Sequence, residues 1–240
     1  MKRRMKLMVL ENQYFKLMKK SPELFKNPDI EDSENAIQIL TDKEDIRRVE
    51  KKLEEKQIKG NKIGVIYEDE YITILRDAVQ FPNGEEGAYT RFFNTSSKYG
   101  IVILLVYENE KKKKEILLER HFRHGIRDFS LEVPRGFSEK NLSYEENAEK
   151  ELWEETSLIP TDIKYIGKVF ADTSISGNTV LYYYAEISDI SKLRCNDKKE
   201  GINGFVLISS EMFGEMIKTG QIADGYSIIA FSLAKIHGLL

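Results

Sequence analysis

The spacing of apolar and polar positions changes period near residue 62. Before that point it is helical. Tyr14, Phe15, Leu17 and Met18 fall within one short helical segment, and Ser21-Pro22 opens a turn or a new helix. Thr41 to Lys59 reads as a charged helix capped by Thr41 or Asp42, with Ile46, Val49 and Leu53 three and four residues apart as one narrow packing stripe. From Lys62 onward the period is two. IGVIYEDE, YITILRDAV and AYTRFFN are strand-like, and Pro82-Asn83-Gly84 is a turn between the second and third.

Further strands are predicted at 101–107 and 115–120, joined across a charged turn containing Asn109, and at 129–133. A helix follows, with Ser143 as N-cap and Glu146 three residues on as a capping box; it ends near Thr156, because Pro160 forbids continuation. Strands at 163–170, 180–187 and 205–208 precede two closing helices at 210–218 and 226–236. No internal repeat or low-complexity linker interrupts this order. It predicts a mixed α/β (α+β) architecture, a mixed sheet between helices, preceded by an accessory helical layer.

Composition narrows the function classes. The chain has 240 residues, 37 Lys+Arg against 40 Asp+Glu for a net charge of −3, and 41% hydrophobic residues. That is too hydrophobic for a disordered chain, and the longest apolar run, Ile101 to Tyr107, suits a strand rather than a membrane span. Lys111 to Lys114 is a tight basic cluster flanked by acids, so no electrostatic footprint for nucleic acid is expected. The single cysteine, Cys195, rules out an intrachain disulfide, and the apolar stretch Leu7 to Leu10 is too short for a signal sequence. A cytoplasmic location is therefore expected. Three histidines cannot build a histidine-rich metal centre, which leaves metal chemistry to carboxylates and to Mg2+, Mn2+ or Ca2+.

The carboxylates in question lie in EVPRGFSEKNLSYEENAEKELWEETSL, residues 132–158. Helical spacing puts Glu151, Glu154 and Glu155 on one side while Ala148 and Leu152 face inward. Like charges so spaced cost about 0.2–0.5 kcal/mol per pair. Anions in the last helical turn oppose the macrodipole by about 0.3–1 kcal/mol each. A strand ending at Glu132, followed by Pro134-Arg135-Gly136, brings a backbone turn beside this helix, where main-chain and side-chain oxygens together suit a divalent cation.

These residues resemble the box of the Nudix hydrolases, G-x5-E-x7-R-E-U-x-E-E-x-G-U. Gly136 takes the first position, Glu151-Leu152 the E-U pair, Glu154-Glu155 the E-E pair and Leu158 the last. Leu142, Lys150 and Ser157 depart from the Glu, Arg and Gly of the pattern. In the family the first Glu and the Arg can pair, so loss of the acid reduces the need for a forked cation, and Lys150 has Glu146 four residues earlier as an alternative partner. Ser157 at a left-handed cap costs roughly 1 kcal/mol against Gly. Glu119-Arg120-His121-Phe122-Arg123, ahead of Glu132-Val133-Pro134-Arg135-Gly136, is similar to the strand and turn of ADP-ribose pyrophosphatase-type members. The likeness spans roughly 62–240, divided as an N-terminal β-portion, 61–97, and a Nudix core, 98–240; residues 1–60 form an unassigned helical extension.

The resemblance implies a Mg2+- or Mn2+-dependent pyrophosphohydrolase acting on a small nucleoside diphosphate derivative, ADP-ribose or a nucleotide sugar. Metal would be held by Glu151, Glu154 and Glu155 with the Arg135 carbonyl. The general base would come from a late loop, Glu200 first and Asp197 second. Arg123, Arg135 and Glu132 would contact the diphosphate or terminal ribose, Phe81 or Tyr89 would stack on a base, and the N-terminal β-portion would pair two chains as a homodimer. His121 and His124 are read as structural or substrate-adjacent. The alternative is a Nudix-fold binding or regulatory module with little hydrolysis, and after it a purely structural partner protein.

Overall fold

The computed structural model describes residues 13–29, 31–95, 98–195 and 201–240. It divides into two compact units, Met1–Ser97 with Asp172–Gly177, and Lys98–Ala171 with Asn178–Leu240.

In the first unit, helix α1 covers 13–20, and 3₁₀ turns follow at Pro22–Phe25 and Ser33–Asn35. Strand β1 (Gln38–Ile39), helix α2 (Lys43–Glu55) and strands β2 (Gly64–Glu68), β3 (Ile72–Gln80) and β4 (Glu86–Asn94) complete it. Asp42 caps α2 by accepting from the Glu44 amide at 2.7 Å. The stripe Ile46, Val49 and Leu53 is buried with Tyr14, Phe25, Val65, Leu75 and Ala78, so the helices before residue 60 and the strands after it share one core. β3 is the spine of the sheet: it pairs with β1, β2 and β4, all antiparallel. Phe93 packs on that core, while the Phe92 amide donates to the Ile175 carbonyl at 3.0 Å.

The second unit holds β5 (Gly100–Glu108), β6 (Lys114–Arg123), β7 (Asp128–Glu132), β8 (Arg135–Phe137), α3 (Tyr144–Thr156), β9 (Asp162–Phe170), β10 (Thr179–Ile187), β11 (Ile202–Ser209), α4 (Ser210–Lys218) and α5 (Gly225–Ile236). The sheet runs β11-β6-β5-β10-β9, with β10 parallel to β5 and the other pairs antiparallel. Alternation along β5 divides its residues between two cores. Ile101, Ile103 and Leu105 pack with Ala148 and Leu152 of α3, and Val102, Leu104 and Val106 with Phe213 of α4 and Ala230 and Ala234 of α5. The sheet is thus covered by helices on both faces. Among the described residues no helix is long and apolar enough to cross a membrane.

A fork in this sheet sets up the site. β5 and β6 pair only over Val106–Glu108 with Lys114–Ile116, then part; β7 continues beside β6, β8 continues beside β5, and Val133-Pro134 crosses between them. The sequence pattern gave no strand at β1 or β8, because two or three residues carry no period. It ended β6 at residue 120, three residues early, where the apolar run gives way to charge.

Candidate active site

The turn that spans the fork is held at every backbone group that matters. Pro134 O accepts from the Ile103 amide at 3.0 Å, and Val133 N–H donates to Ser227 Oγ at 3.0 Å. Ser227 is fully buried at the start of α5 and donates in turn to Asp224 Oδ2 at 2.7 Å. Gly136 faces α3. A Cβ built on it would collide with the Glu151 carboxylate, and Phe137 N–H donates to Glu151 Oε1 at 3.2 Å. Only glycine lets backbone and carboxylate approach so closely.

Helix α3 begins with the predicted capping box. Ser143 Oγ accepts from Glu146 N at 3.1 Å, and Glu146 Oε2 accepts from Ser143 N at 2.7 Å, which holds the Glu146 carboxyl below its ordinary range. The helix ends at Ser157 with φ 61°, the left-handed conformation that the family's Gly takes without strain. Leu152 and Ala148 are fully buried, Glu155 is buried, and Glu151 and Glu154 are half-buried. The expected Glu146–Lys150 pair does not form, because Glu146 is engaged at the cap. Lys150 Nζ instead reaches Glu139 Oε1 and Glu154 Oε1, each at 3.0 Å, and the two pairings raise its pKa while lowering that of Glu139. Glu139 thus supplies the loop-to-helix ion pair that Leu142 cannot.

On β6, Glu119, His121 and Arg123 alternate with outward residues and follow Leu117 onto the α3 face. Glu132 stands directly opposite Glu119 on β7. His121 Nδ1 lies 3.0 Å from Glu119 Oε1 and 3.4 Å from Glu132 Oε1, and all three residues are buried. Arg123 pairs with Glu132 Oε1. Burial pushes the Glu119 carboxyl above the ordinary range, against the lowering from His121. Arg135 Nη2 reaches Glu132 Oε2 at 3.3 Å and Asp224 Oδ1 at 3.7 Å, and its guanidinium sits 4.5 Å over the Tyr226 ring.

The structure therefore gathers Glu132, Arg123, Arg135, Glu151, Glu154 and Glu155 into the second unit. Phe81 and Tyr89 belong to the first, where Phe81 lies against Gly87 and Tyr89 Oη donates to Ser174 O at 2.6 Å. Glu200 and Asp197 lie outside the described residues. Sequence reasoning missed Glu119, Asp224 and Ser227 as parts of the site. The signal for Glu119 was present: polar side chains at three alternate positions of a strand whose inward face had just carried Leu117. Nothing local marks Ser227, whose partner is 94 positions away.

Comparison with known proteins adds independent findings. A family model described as NUDIX domain matches residues 98–212. A GDP-mannose pyrophosphatase of Enterobacter sp. (strain 638) is 30% identical over 144 residues, covering 57% of this chain and 74% of that protein. A crystal structure described as an ADP compounds hydrolase superposes with a TM-score of 0.58 at 16% identity, covering 72% of this chain and 89% of the other; at that identity the likeness is one of fold.

Proposed function

The chain belongs to the Nudix hydrolase family, and from that premise we propose that it cleaves the diphosphate of a nucleoside diphosphate derivative, ADP-ribose or a nucleotide sugar, with Mg2+ or Mn2+. The carrying observation is the close approach of Gly136 to Glu151, which sets the turn backbone against the first carboxylate of the α3 run. Carboxylates beside a backbone turn are the donor class that a hard divalent cation takes. Glu151, Glu154, Glu155 and the Arg135 carbonyl would hold it. When bound there it supplies neutralisation of the diphosphate and a lowered pKa for the attacking water.

The protein's own groups do the rest. Arg123 and Arg135 present guanidinium donors to phosphate or ribose oxygens, and Glu132 fixes both forks before substrate arrives. Lys150 pairs with Glu154, so a cation held by Glu154 would compete with this ammonium. Glu200 is the first candidate for general base and Asp197 the second; Glu200→Gln retaining normal kcat across pH would move the role elsewhere. Residues 98–240 would carry the chemistry, and residues 61–97 would supply Phe81 or Tyr89 to a base and pair two cytoplasmic chains as a homodimer. A monomeric mass at micromolar concentration would remove the dimer.

The deciding experiment is a hydrolytic screen of ADP-ribose, GDP-mannose and related compounds with Mg2+ and Mn2+. Release of nucleoside monophosphate that stops on chelation is expected. Tight nucleotide binding without release would replace the enzyme by a binding module.

A further inference from the structure

Glu119, His121 and Glu132 sit apart from the α3 carboxylates as a second constellation. Each offers one ligand atom, and the three atoms lie within 4.8 Å of one another. They stand on two paired strands rather than on loops, with Glu119 opposite Glu132 in register and His121 the next residue on the same face. Such placement fixes their geometry before any ligand arrives.

One oxygen of the cluster stands open. Arg123 and Arg135 meet Glu132, but among the described residues Glu119 Oε2 is buried with no hydrogen-bond donor, and Glu119 as a whole has no exposed surface. Burying a carboxylate oxygen without a donor is costly unless something else meets it. His121 Nδ1 turns toward both carboxylates, and in the tautomer protonated at Nε2 its lone pair would face an ion held between them. Arg123 is compatible with an ion on the other lone pair of Glu132 Oε1, because ligating carboxylates are ordinarily hydrogen-bonded from outside.

We propose that Glu119, His121 and Glu132 form a second divalent-cation site, separate from the α3 carboxylates, that takes a Mn2+- or Zn2+-class ion through one imidazole nitrogen and two carboxylates. The nitrogen ligand sets its preference. Imidazole favours Zn2+ and the later first-row ions, whereas the all-oxygen α3 set suits Mg2+ as well. The expectation that metal chemistry here rests on carboxylates alone is thereby extended, with His121 as a ligand rather than a structural residue.

Nitrogen coordination gives a readout independent of hydrolysis. The full-length Glu154→Gln/Glu155→Gln protein, with two of the three α3 carboxylates removed, is loaded with one equivalent of Mn2+ and measured by pulsed electron paramagnetic resonance. Electron-spin-echo modulation from a bound nitrogen is expected, and its loss on adding His121→Asn assigns it to this residue rather than to His124 or His237. Glu119→Gln, which keeps the side-chain volume, should weaken Mn2+ and Zn2+ uptake about 10-fold or more by equilibrium dialysis. Absence of nitrogen modulation in the parent double variant, or modulation that survives His121→Asn, overturns the proposal. Failure of the hydrolytic screen leaves these measurements untouched, so the two readings fall separately.

Discussion

Two buried acids, Asp77 of the first unit and Glu119 of the second, are treated in opposite ways. In the first unit Asp77 accepts from Tyr14 Oη and from Arg91 Nε, each at 2.5 Å, so both of its oxygens are met. Glu86, on the strand edge, receives Arg48 at 2.5 Å and Lys52 at 2.6 Å, which holds its carboxyl down at about 2. In the second unit Glu119 keeps an oxygen that meets no donor among the described residues, and its pKa is pushed up by burial. Acids closed by their partners hold a fold together. The open oxygen of Glu119 is the feature on which the proposed cation site rests.

Four experiments break or sharpen that contrast. The largest effect is expected on turnover. Glu154→Gln/Glu155→Gln removes several kcal/mol of metal-borne transition-state stabilisation, or about 10³-fold in kcat, while thermal stability stays equal or rises, because like charges leave the end of α3. Retained turnover would detach the reaction from this helix.

Next comes stability. Asp77→Ala leaves Arg91, whose side chain is 23% exposed, and Tyr14 without their shared acceptor, and should cost about 3 kcal/mol in denaturant unfolding. Glu119→Gln, in chelator, should stay within about 1 kcal/mol of the parent, since it removes an uncompensated buried acid. Equal losses would erase the distinction between closed and open acids.

Acidity should separate the same two groups. Glu86 is lowered in the folded state, so its contribution is complete above its ordinary 4.5 and is lost as pH falls toward about 2. Glu119 is raised, so the stability it allows is complete below 4.5 and is lost as pH climbs through its folded value. Thermal melts against pH in chelator should therefore lose the slope below 4.5 in Glu86→Gln and the slope above 4.5 in Glu119→Gln. Unchanged slopes in either variant would remove that group from the account. The smallest effect is Ser157→Gly, which relieves a left-handed serine at φ 61° and should add about 0.5–1 kcal/mol to stability.

Much of this was open to reading one residue at a time. The Ser143 and Glu146 cap, the strained end at Ser157 and the inward Ala148 and Leu152 all follow from spacing within α3, where helical geometry makes near neighbours in sequence near neighbours in space. The stripe of α2 and most strands followed from period alone. Lys150 did not follow. Spacing offered it Glu146, but the cap had already engaged that acid, and Glu139 across the loop took its place.

What the sequence determined by itself was the local order of elements and the presence of an acidic helix beside a glycine turn, since both depend on interactions a few residues long. Only the tertiary structure decided that β5 and β6 part, that Val133-Pro134 bridges the fork under the clamp of Ser227, and that Glu119, His121 and Glu132 meet beneath it. The reason is strand pairing. Register between distant segments is set by which faces can be buried together, and no local period carries that information.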